Sequence, residues 1–220
     1  MTTMNLELAR HNMVEQQIRT WEVLDPRVLD LVGGLRREDF VPPDRRQLAF
    51  ADVNLPIGHG EVMMTPKLEA RILQTLRIRP RDRILEVGTG SGFLTACLSR
   101  LGASITSVDI HEDFTVAAGE RLQRGGFHNV RLETGNAAEG WPSPGGFDAI
   151  VLTGSVPAMP ATFEQQLRPG GRLFAIVGNA PIMEAWLITR TGDQAWMRES
   201  LFETSIPPLR GAVAPNTFAL

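Results

Sequence analysis

The first third of the chain follows a helical pattern of apolar and polar residues. Residues 6–20 place their apolar side chains on one helix face, and these are Leu6, Met13, Val14 and Ile18. Asp25-Pro26 combines an N-cap residue with proline at the first helical position and predicts a second helix that ends at Gly33-Gly34. Thr65-Pro66 repeats this signal and predicts a third helix that ends at residues 79–82. Its apolar stripe consists of Leu68, Ile72, Leu73 and Leu76.

Proline and glycine interrupt the stretch between the second and third helices. Pro42-Pro43, Pro56 and Gly58-His59-Gly60 break the pattern repeatedly, so we predict that residues 36–60 are irregular. Long irregular segments inside compact domains are often functional. This stretch is therefore a candidate part of a site.

From residue 83 onward, strand patterns alternate with helix patterns. The predicted strands are residues 83–87, 104–109, 130–133, 147–152 and 172–177, the helices are residues 94–101, 114–124 and 160–167, and a turn falls at residues 169–171. Ala185–Arg190 and Ala195–Phe202 flank Thr191-Gly192-Asp193 and predict a hairpin. Strands that alternate with helices form a parallel sheet with right-handed crossovers. We therefore predict an α/β fold, a doubly wound and mostly parallel sheet with a C-terminal antiparallel hairpin and N-terminal helices.

We interpret the chain as one structural domain with three parts. Residues 1–80 form an N-terminal helical extension packed on the core, and residues 81–205 form a cofactor-binding core. Residues 206–220 form a proline-interrupted tail that we expect to lie over the domain surface.

A glycine-dense turn follows the strand at residues 83–87. Its three alternate glycines are Gly88, Gly90 and Gly92. They remove Cβ atoms from one side of the turn, so a ligand can lie against backbone amides, although a plain strand-to-helix turn has a similar composition. Asp109 ends the next strand about 20 residues later, where a carboxylate can accept hydrogen bonds from both ribose hydroxyls. The alternative for Asp109 is a cap for the helix that begins near Glu112.

The spacing within this turn indicates which cofactor it binds. A dinucleotide fingerprint needs a third glycine at position 93, where this chain has Phe93, and this disfavours a nicotinamide oxidoreductase. The Gly-x-Gly-x-Gly spacing, with Glu86 two residues ahead of it, instead fits the S-adenosylmethionine loop of Rossmann-like class I methyltransferases. We expect Glu86 to act through the amino group of the methionine part, directly or through water.

Composition and charge narrow the range of partners. The net charge of -3 gives no support for a nucleic-acid partner, which usually requires a basic excess. The single cysteine, Cys97, fits a reducing cytoplasm and a packed hydrophobic position. Residues 1–12 lack the apolar run of a secretory signal, and no segment approaches the ~20 apolar residues of a membrane span. We expect a cytoplasmic protein without a membrane partner or a metal site.

Motifs spread over nearly the whole chain resemble those of the protein-L-isoaspartate (D-aspartate) O-methyltransferase family. They occur in the family's order, at residues 13–19, 37–42, 55–60, 135–141, 154–160, 167–173 and 208–210. The resemblance implies a class I methyltransferase fold with S-adenosylmethionine as cofactor. It also implies carboxyl methylation of isoaspartyl residues in damaged proteins, which starts their repair.

The resemblance further implies which residues bind the cofactor. They are Glu86, Gly88, Thr89, Gly90, Gly92, Asp109, Ile110, Asn136 and Ala137. Asp109 would hold the ribose, and Asn136 would lie near the adenine. The family usually has aspartate and glycine in place of Asn136-Ala137, but asparagine keeps an acceptor oxygen for the adenine amino group. Asn136 also suits a turn after Gly135.

The acceptor side departs from the family pattern. The family usually reads Gln-Thr-Ile-Ser-x-Pro where residues 61–66 read Glu-Val-Met-Met-Thr-Pro, so Met64 replaces the active-site serine and cannot donate a hydrogen bond. Thr65 and His59 are the candidate catalytic residues. Thr65 fits a helix cap better than a catalytic replacement, and His59 is either a packed ring or a chemical group. Glu61 is a further candidate or a solvated side chain.

Taken together, these features identify the chain as a divergent member of the family that lacks the usual serine. We expect an S-adenosylmethionine-dependent methyltransferase that acts on a protein or peptide carboxylate. Because of Met64, two alternatives stay open: a methyltransferase with a different acceptor, such as a small molecule, and a cofactor-binding protein with weak or no catalysis. We expect a monomer or a weak homo-oligomer.

Overall fold

The structure is a computed structural model that describes residues 5–159 and 161–212. The α-helices are α1 (Leu6–Asn12), α2 (Pro26–Gly34), α3 (Pro66–Leu76), α4 (Phe93–Leu101), α5 (Glu112–Arg124) and α6 (Ala161–Gln166). The strands are β1 (Leu55–Gly58), β2 (Glu61–Met63), β3 (Arg83–Val87), β4 (Ser104–Asp109), β5 (Val130–Thr134), β6 (Phe147–Val156), β7 (Leu167–Asn179), β8 (Ile182–Gly192) and β9 (Ala195–Glu203). The residues expected in the last part of the tail, 213–220, and Pro160 lie outside the described residues.

Seven strands form the central sheet in the order β5-β4-β3-β6-β7-β8-β9. The pairs among β3 to β7 are parallel, and β8 and β9 add to the sheet antiparallel. The predicted fold class is therefore confirmed. The chain builds outward from β3 to β5 and then returns to place β6 on the other side of β3. Ligands bind at such a switch point, where the loops after two neighbouring strands diverge.

The N-terminal stretch is helical as predicted, but only its first part is an α-helix. The chain continues from α1 into a π-helical segment, Met13–Ile18, and then into a 3-10 turn, Arg19–Trp21. Asp25 caps α2 as predicted, because its side chain accepts a hydrogen bond from the backbone N–H of Arg27.

The prediction that residues 36–60 are wholly irregular is wrong. Two 3-10 segments and a β-hairpin lie in this stretch, and β1 pairs antiparallel with β2, with Leu55 opposite Met63. His59 and Gly60 form the two-residue turn, and both have positive φ (54° and 79°), as tight hairpin turns require. The hairpin was missed because Pro56 lies inside a short strand, a position that proline tolerates only at a sheet edge.

The predicted turn at residues 169–171 is also wrong as a separate element. It lies inside β7, where Leu167 pairs with Phe147 and Arg172 pairs with Ala149. The register shift between these pairs accommodates the extra residues as an irregularity of the strand.

One hydrophobic core joins the N-terminal elements to the sheet. It runs from Ile18 and Leu76 through Phe93 to Phe174 and Ile206, all of which are buried. Buried Arg172 extends the same connection, because its guanidinium donates to the carbonyl of Leu76 and to Asp82. Within the described residues, no helix is long and apolar enough to cross a bilayer.

Candidate active site

A cavity of about 90 Å³, open on one side, lies at the carboxyl ends of the central strands. Its floor and one side come from the segments that follow β3, β4 and β5, and from Thr153 and Gly154 in β6. The hairpin β1–β2 and the segment Ile206–Arg210 close the opposite side. The cavity therefore has a side formed by the glycine turn and a side formed by residues from both ends of the described chain.

The glycine turn adopts a conformation that only glycine enters easily. Gly88, Gly90 and Gly92 have φ values of 98°, 50° and 84°. A Cβ added to Gly88 would lie 2.0 Å from the hydroxyl oxygen of Thr153, which donates to the carbonyls of Val87 and Gly88. The turn thus lies against β6 without space for a side chain, and its open face borders the cavity.

Asp109 fixes the glycine turn from the end of β4. Its Oδ2 accepts a hydrogen bond from the N–H of Gly90 at 2.8 Å, and its Oδ1 accepts one from the N–H of His111 at 3.0 Å. His111 occupies the N-cap position of α5, and no side chain caps that helix. Among the described residues, the Asp109 side chain accepts from the N-cap residue of α5 and from no N–H group within that helix. Thr89 hydrogen bonds to Ser107 at 2.7 Å beneath the same turn.

Glu86 is a fully buried carboxyl group that lines the cavity. Its Oε2 accepts hydrogen bonds from Thr95 at 2.5 Å and from Ser107 at 2.6 Å, and its Oε1 has no partner among the described residues. Burial raises the pKa of Glu86 to about 8, since the two hydroxyl donors offset only part of the desolvation and the nearby Asp109 charge adds to it. This unsatisfied oxygen suits a cationic donor, such as the amino group of an amino-acid moiety.

The segment after β5 is only partly arranged as the sequence predicts. Ala137 and Ala138 line the cavity, whereas the side chain of Asn136 is exposed and does not. Its Oδ1 accepts a hydrogen bond from the N–H of Ala138 at 3.0 Å, which is the arrangement of a turn former. Seven of the nine cofactor-binding candidates line the cavity, and these are Glu86, Gly88, Thr89, Gly90, Asp109, Ile110 and Ala137. Asn136 and Gly92 do not line it, although Gly92 belongs to the glycine turn.

Buried Arg37 holds the segment that forms the opposite wall. Met63 and Met64 line the cavity, and Arg37 donates to the carbonyl of Met64 at 2.6 Å. Arg37 also forms an ion pair with Glu69 and lies over the ring of Phe93 at 4.8 Å. Burial raises the pKa of Glu69 to about 7, although Arg37 opposes this shift. The backbone at position 64 is therefore fixed by a buried, fully paired cation.

The ion pair between Arg37 and Glu69 was not predicted. Arg37 opens the motif at residues 37–42, but nothing in the local sequence points to a partner 32 positions away on α3. Glu69 lies on the apolar stripe side of α3 and is buried there. A buried acid on an otherwise apolar helix face is the signal that could have found it.

The prediction that the Thr65 hydroxyl caps α3 is wrong. Thr65 does occupy the N-cap position, and Pro66 is the first helical residue, but the side chain makes no capping hydrogen bond. The N–H groups of Leu68 and Glu69 instead donate to the backbone carbonyl of Thr65, at 3.1 and 3.2 Å. Thr65 is not among the residues that line the cavity.

His59 lies at the rim of the cavity rather than in its lining. Its Nε2 is 2.9 Å from Asp113 Oδ2, and its ring stacks on His111 with centroids 4.0 Å apart and meets Phe114 edge-on. The hydrogen bond with His59 lowers the pKa of exposed Asp113. The side-chain nitrogen and oxygen atoms of His59, His111 and Asp113 that could bind a metal lie within 4.8 Å of one another. However, the two imidazole rings are stacked in nearly parallel planes, so their nitrogen lone pairs do not point toward one common position. We interpret these contacts as packing that attaches the hairpin turn to α5.

Arg210 attaches the C-terminal segment to the hairpin from the other side. It donates to Glu61 Oε1 at 2.7 Å and to the carbonyl of His59 at 3.0 Å, and both charged side chains line the cavity. Ser155 in β6 positions this segment, because its carbonyl accepts from the N–H of Leu209 at 2.8 Å. The sequence left Glu61 as either solvated or chemical, since its partner lies 149 positions away.

Comparisons with known proteins agree on one family. The model of the family described as protein-L-isoaspartate(D-aspartate) O-methyltransferase (PCMT) matches residues 8–211. A protein-L-isoaspartate O-methyltransferase from Myxococcus xanthus is 42% identical over 193 residues, which cover 86% of this chain and 91% of the relative. A protein of the same name from Magnetococcus marinus is 38% identical over 187 residues, which cover 85% and 82%.

Solved structures show the same fold. One called protein-L-isoaspartate O-methyltransferase is similar with a TM-score of 0.79 and 23% identity, covering 93% of this chain and 67% of its own. A beta-aspartate methyltransferase (PCMT) from Plasmodium falciparum, in complex with S-adenosyl-L-homocysteine, is similar with a TM-score of 0.77 and 19% identity, covering 94% and 99%. At these identities the likeness bears on the fold alone.

Proposed function

Because the chain belongs to the protein-L-isoaspartate (D-aspartate) O-methyltransferase family, we propose that the cavity described above is where it methylates the carboxylate of isoaspartyl residues. The chain is an S-adenosylmethionine-dependent O-methyltransferase, and its acceptor is a protein. The assignment of individual residues within the cavity is our proposal. Cytoplasmic location and the monomeric or weakly associating state stay predictions from the sequence.

The observation that carries the proposal is the buried carboxyl of Glu86 beside the glycine turn. When bound, S-adenosylmethionine supplies a methyl group on a positively charged sulfur. Glu86 Oε1, which has no partner among the described residues, would accept a hydrogen bond from the amino group of the methionine part. Asp109 would accept from the ribose, while Gly88 and Gly90 leave room for close approach to the backbone. The residues present thus fit this cofactor.

Asn136 keeps a smaller role in this assignment. Its side chain is exposed and engaged with the N–H of Ala138, so we assign the adenine side of the cavity to Ile110, Ala137 and Ala138. Asn136 would shape that wall by holding the turn rather than by binding the adenine directly.

The acceptor side would work by alignment rather than by proton transfer. A carboxylate is already ionised near neutral pH, so its oxygen needs no general base to attack a methyl group. Holding such an oxygen in line with the methyl group can supply most of the acceleration. Met63 and Met64 would form a fixed apolar wall for this purpose, because Arg37 immobilises the backbone at Met64. Thr65 and His59 lie outside the cavity lining, so neither is needed for chemistry in this proposal.

A methylation assay with two matched peptides tests this function. One peptide carries an isoaspartyl residue, and the control carries an ordinary aspartyl residue at the same position. We expect methyl ester, and methanol on its hydrolysis, from the isoaspartyl peptide alone. Calorimetric binding of S-adenosyl-L-homocysteine without any turnover would instead identify a binding protein. Turnover only with other carboxylates in a panel would identify a different acceptor.

A further inference from the structure

The cavity carries an excess of acidic side chains. The acids that line it are Glu61, Glu69, Glu86 and Asp109. Among the described residues of the lining, Arg210 is the single arginine or lysine. Arg37 pairs with Glu69, and the Glu86 carboxyl, whose pKa is about 8, is mostly protonated at pH 7, so the negative charge comes mainly from Asp109 and Glu61. This charge favours a cofactor with a positively charged sulfur and amino group, and it opposes the approach of an anion. An acceptor carboxylate therefore needs a local cation or a set of hydrogen-bond donors.

The side chain at position 64 cannot meet that need. The Met64 thioether donates no hydrogen bond, and the Met64 carbonyl is already engaged by Arg37. Met63 beside it is equally apolar. The donor for an anionic acceptor must come from another element of the same wall.

We propose that Arg210 binds the acceptor carboxylate and exchanges Glu61 for the substrate when the substrate enters. This inference rests on the proposed function, since it names the residue that recognises the carboxylate in the same cavity. A planar guanidinium matches a carboxylate with two parallel hydrogen bonds, which a lysine cannot reproduce. Arg210 would thus supply, from the C-terminal segment, the hydrogen-bond donor that Met64 cannot provide.

The present contacts of Arg210 allow this exchange. The side chains of Arg210 and Glu61 are 54% and 20% exposed, and an ion pair this open to solvent contributes little stability. Within the described residues, the Nε and Nη2 groups of Arg210 are engaged, whereas Nη1 makes no hydrogen bond. Glu61 therefore contacts the guanidinium through Nε alone, which is the weaker, single contact that a substrate carboxylate with two hydrogen bonds would replace.

The backbone keeps Arg210 at the cavity while its side chain is free to switch. The carbonyl of Ser155 accepts from the N–H of Leu209, and the N–H of Ser155 donates to the carbonyl of Pro207. The guanidinium also lies over Gly60, where an added Cβ would be 3.2 Å from Nη2. The hairpin turn thus gives the side chain space that any other residue at position 60 would reduce.

Two substitutions show whether Arg210 binds the substrate carboxylate or only holds the hairpin through Glu61. If Arg210 binds the carboxylate, the two substitutions should change KM in opposite directions. Arg210→Met should raise the KM for an isoaspartyl peptide by about 10- to 100-fold, the range for loss of a charge-assisted hydrogen bond. Glu61→Gln removes the competing carboxylate and should lower that KM. A clamp that only closes the cavity predicts that both substitutions raise KM. Arg210→Lys keeps the charge but loses the planar guanidinium with its two parallel hydrogen bonds, so its KM should fall between those of the wild type and Arg210→Met.

Binding measurements and a matched control complete the test. Calorimetry of the same peptide with the enzyme bound to S-adenosyl-L-homocysteine should show the same order of affinities, with the affinity for S-adenosyl-L-homocysteine itself changed less than about twofold. Arg27 and Asp25 form a comparable ion pair, with side chains 58% and 22% exposed, away from the cavity, so Arg27→Met should leave KM unchanged. An unchanged KM in Arg210→Met, or a raised KM in Glu61→Gln, overturns the inference alone. Failure of the wild type to methylate or bind the peptide overturns the proposed function together with it.

Discussion

At the scale of single residues, Glu86 is the most informative group in the molecule. Among the residues that the structure describes, no cation pairs with this buried group, and hydroxyl donors satisfy only one of its oxygens. A protein does not usually keep such a group for stability, because a buried carboxyl costs more than it contributes. The group is instead suited to a ligand that brings its own positive charge.

The raised pKa of Glu86 predicts that cofactor binding depends on pH. At pH 7 its carboxyl, with a pKa of about 8, is mostly protonated, and a cationic amino group favours the carboxylate. Binding of S-adenosyl-L-homocysteine should therefore release a proton, and its affinity should rise as the pH rises toward about 8. Calorimetry in buffers of different ionisation enthalpy measures the proton. Glu86→Gln should bind more weakly, and its affinity should lose this pH dependence; a dependence that persists would contradict the assignment.

The same group has a definite effect on stability without ligand. Glu86 ionises near its usual 4.5 when unfolded and near 8 when folded, so the folded state binds more protons between these values. Its contribution to the free energy of unfolding therefore falls as the pH rises from about 4.5 to about 8. Glu86→Gln removes this part of the pH dependence.

Gly88 provides a second prediction at this scale. Gly88→Ala combines a positive φ with a clash against Thr153, and should lower the free energy of unfolding by more than ~2 kcal/mol and weaken cofactor binding. Gly126→Ala is the matched control, because Gly126 has φ of 72° but nothing within 4 Å of the added Cβ. It should cost only about 1 kcal/mol. Equal losses in denaturant titrations of the two variants would show that the contact with Thr153 does not matter.

At the scale of elements, the segment from β2 into α3 forms the wall where we propose that the acceptor lies. Its backbone is fixed by buried Arg37, and the resemblance predicts a hydroxyl where this chain has Met64. The local sequence was enough to predict α3 and the unusual Met64. It was not enough to predict the β1–β2 hairpin, because Pro56 lies inside its first strand. The Arg37–Glu69 pair was missed because its partners lie 32 positions apart.

Met64→Ser tests what the missing hydroxyl does. The substitution should raise kcat for the isoaspartyl peptide by about tenfold or more if a hydroxyl positions the acceptor, as a single oxyanion donor does. It should also cost about 2 kcal/mol of stability, because buried side-chain volume is lost. Met63→Ser is the control, since it removes a neighbouring buried methionine and should lower stability without raising kcat. If kcat stays at the wild-type value in Met64→Ser, the chain has replaced the hydroxyl by other means.

At the scale of the whole molecule, the sequence predicted the architecture well and the assembly of the site less well. Alternating strands and helices indicated the parallel sheet, and Gly88 and Asp109 indicated its ligand edge, because each pattern is local. The contact between Glu61 and Arg210 could not be predicted, because only the folded sheet brings these residues together. Sequence patterns do not predict such long-range contacts between side chains.

A cavity with walls from three distant parts of the chain should couple ligand binding to global stability. At a concentration of S-adenosyl-L-homocysteine about 100 times its Kd, the folded state gains about 2.7 kcal/mol. For a chain of this length, that gain should raise Tm by about 5–10 °C. NAD at the same concentration should leave Tm unchanged. A comparable shift with NAD would revive the nicotinamide alternative that Phe93 disfavours.

The hydrogen bonds that Arg210 donates to Glu61 and to the carbonyl of His59 also determine when this part of the cavity can form during synthesis. Glu61 leaves the ribosome long before Arg210, which follows it by 149 positions. The sheet as far as β7 can form while this wall of the cavity is still missing. In a nascent chain, the wall formed by Ile206–Arg210 therefore closes the cavity only after its other walls are in place, when this segment docks against Ser155.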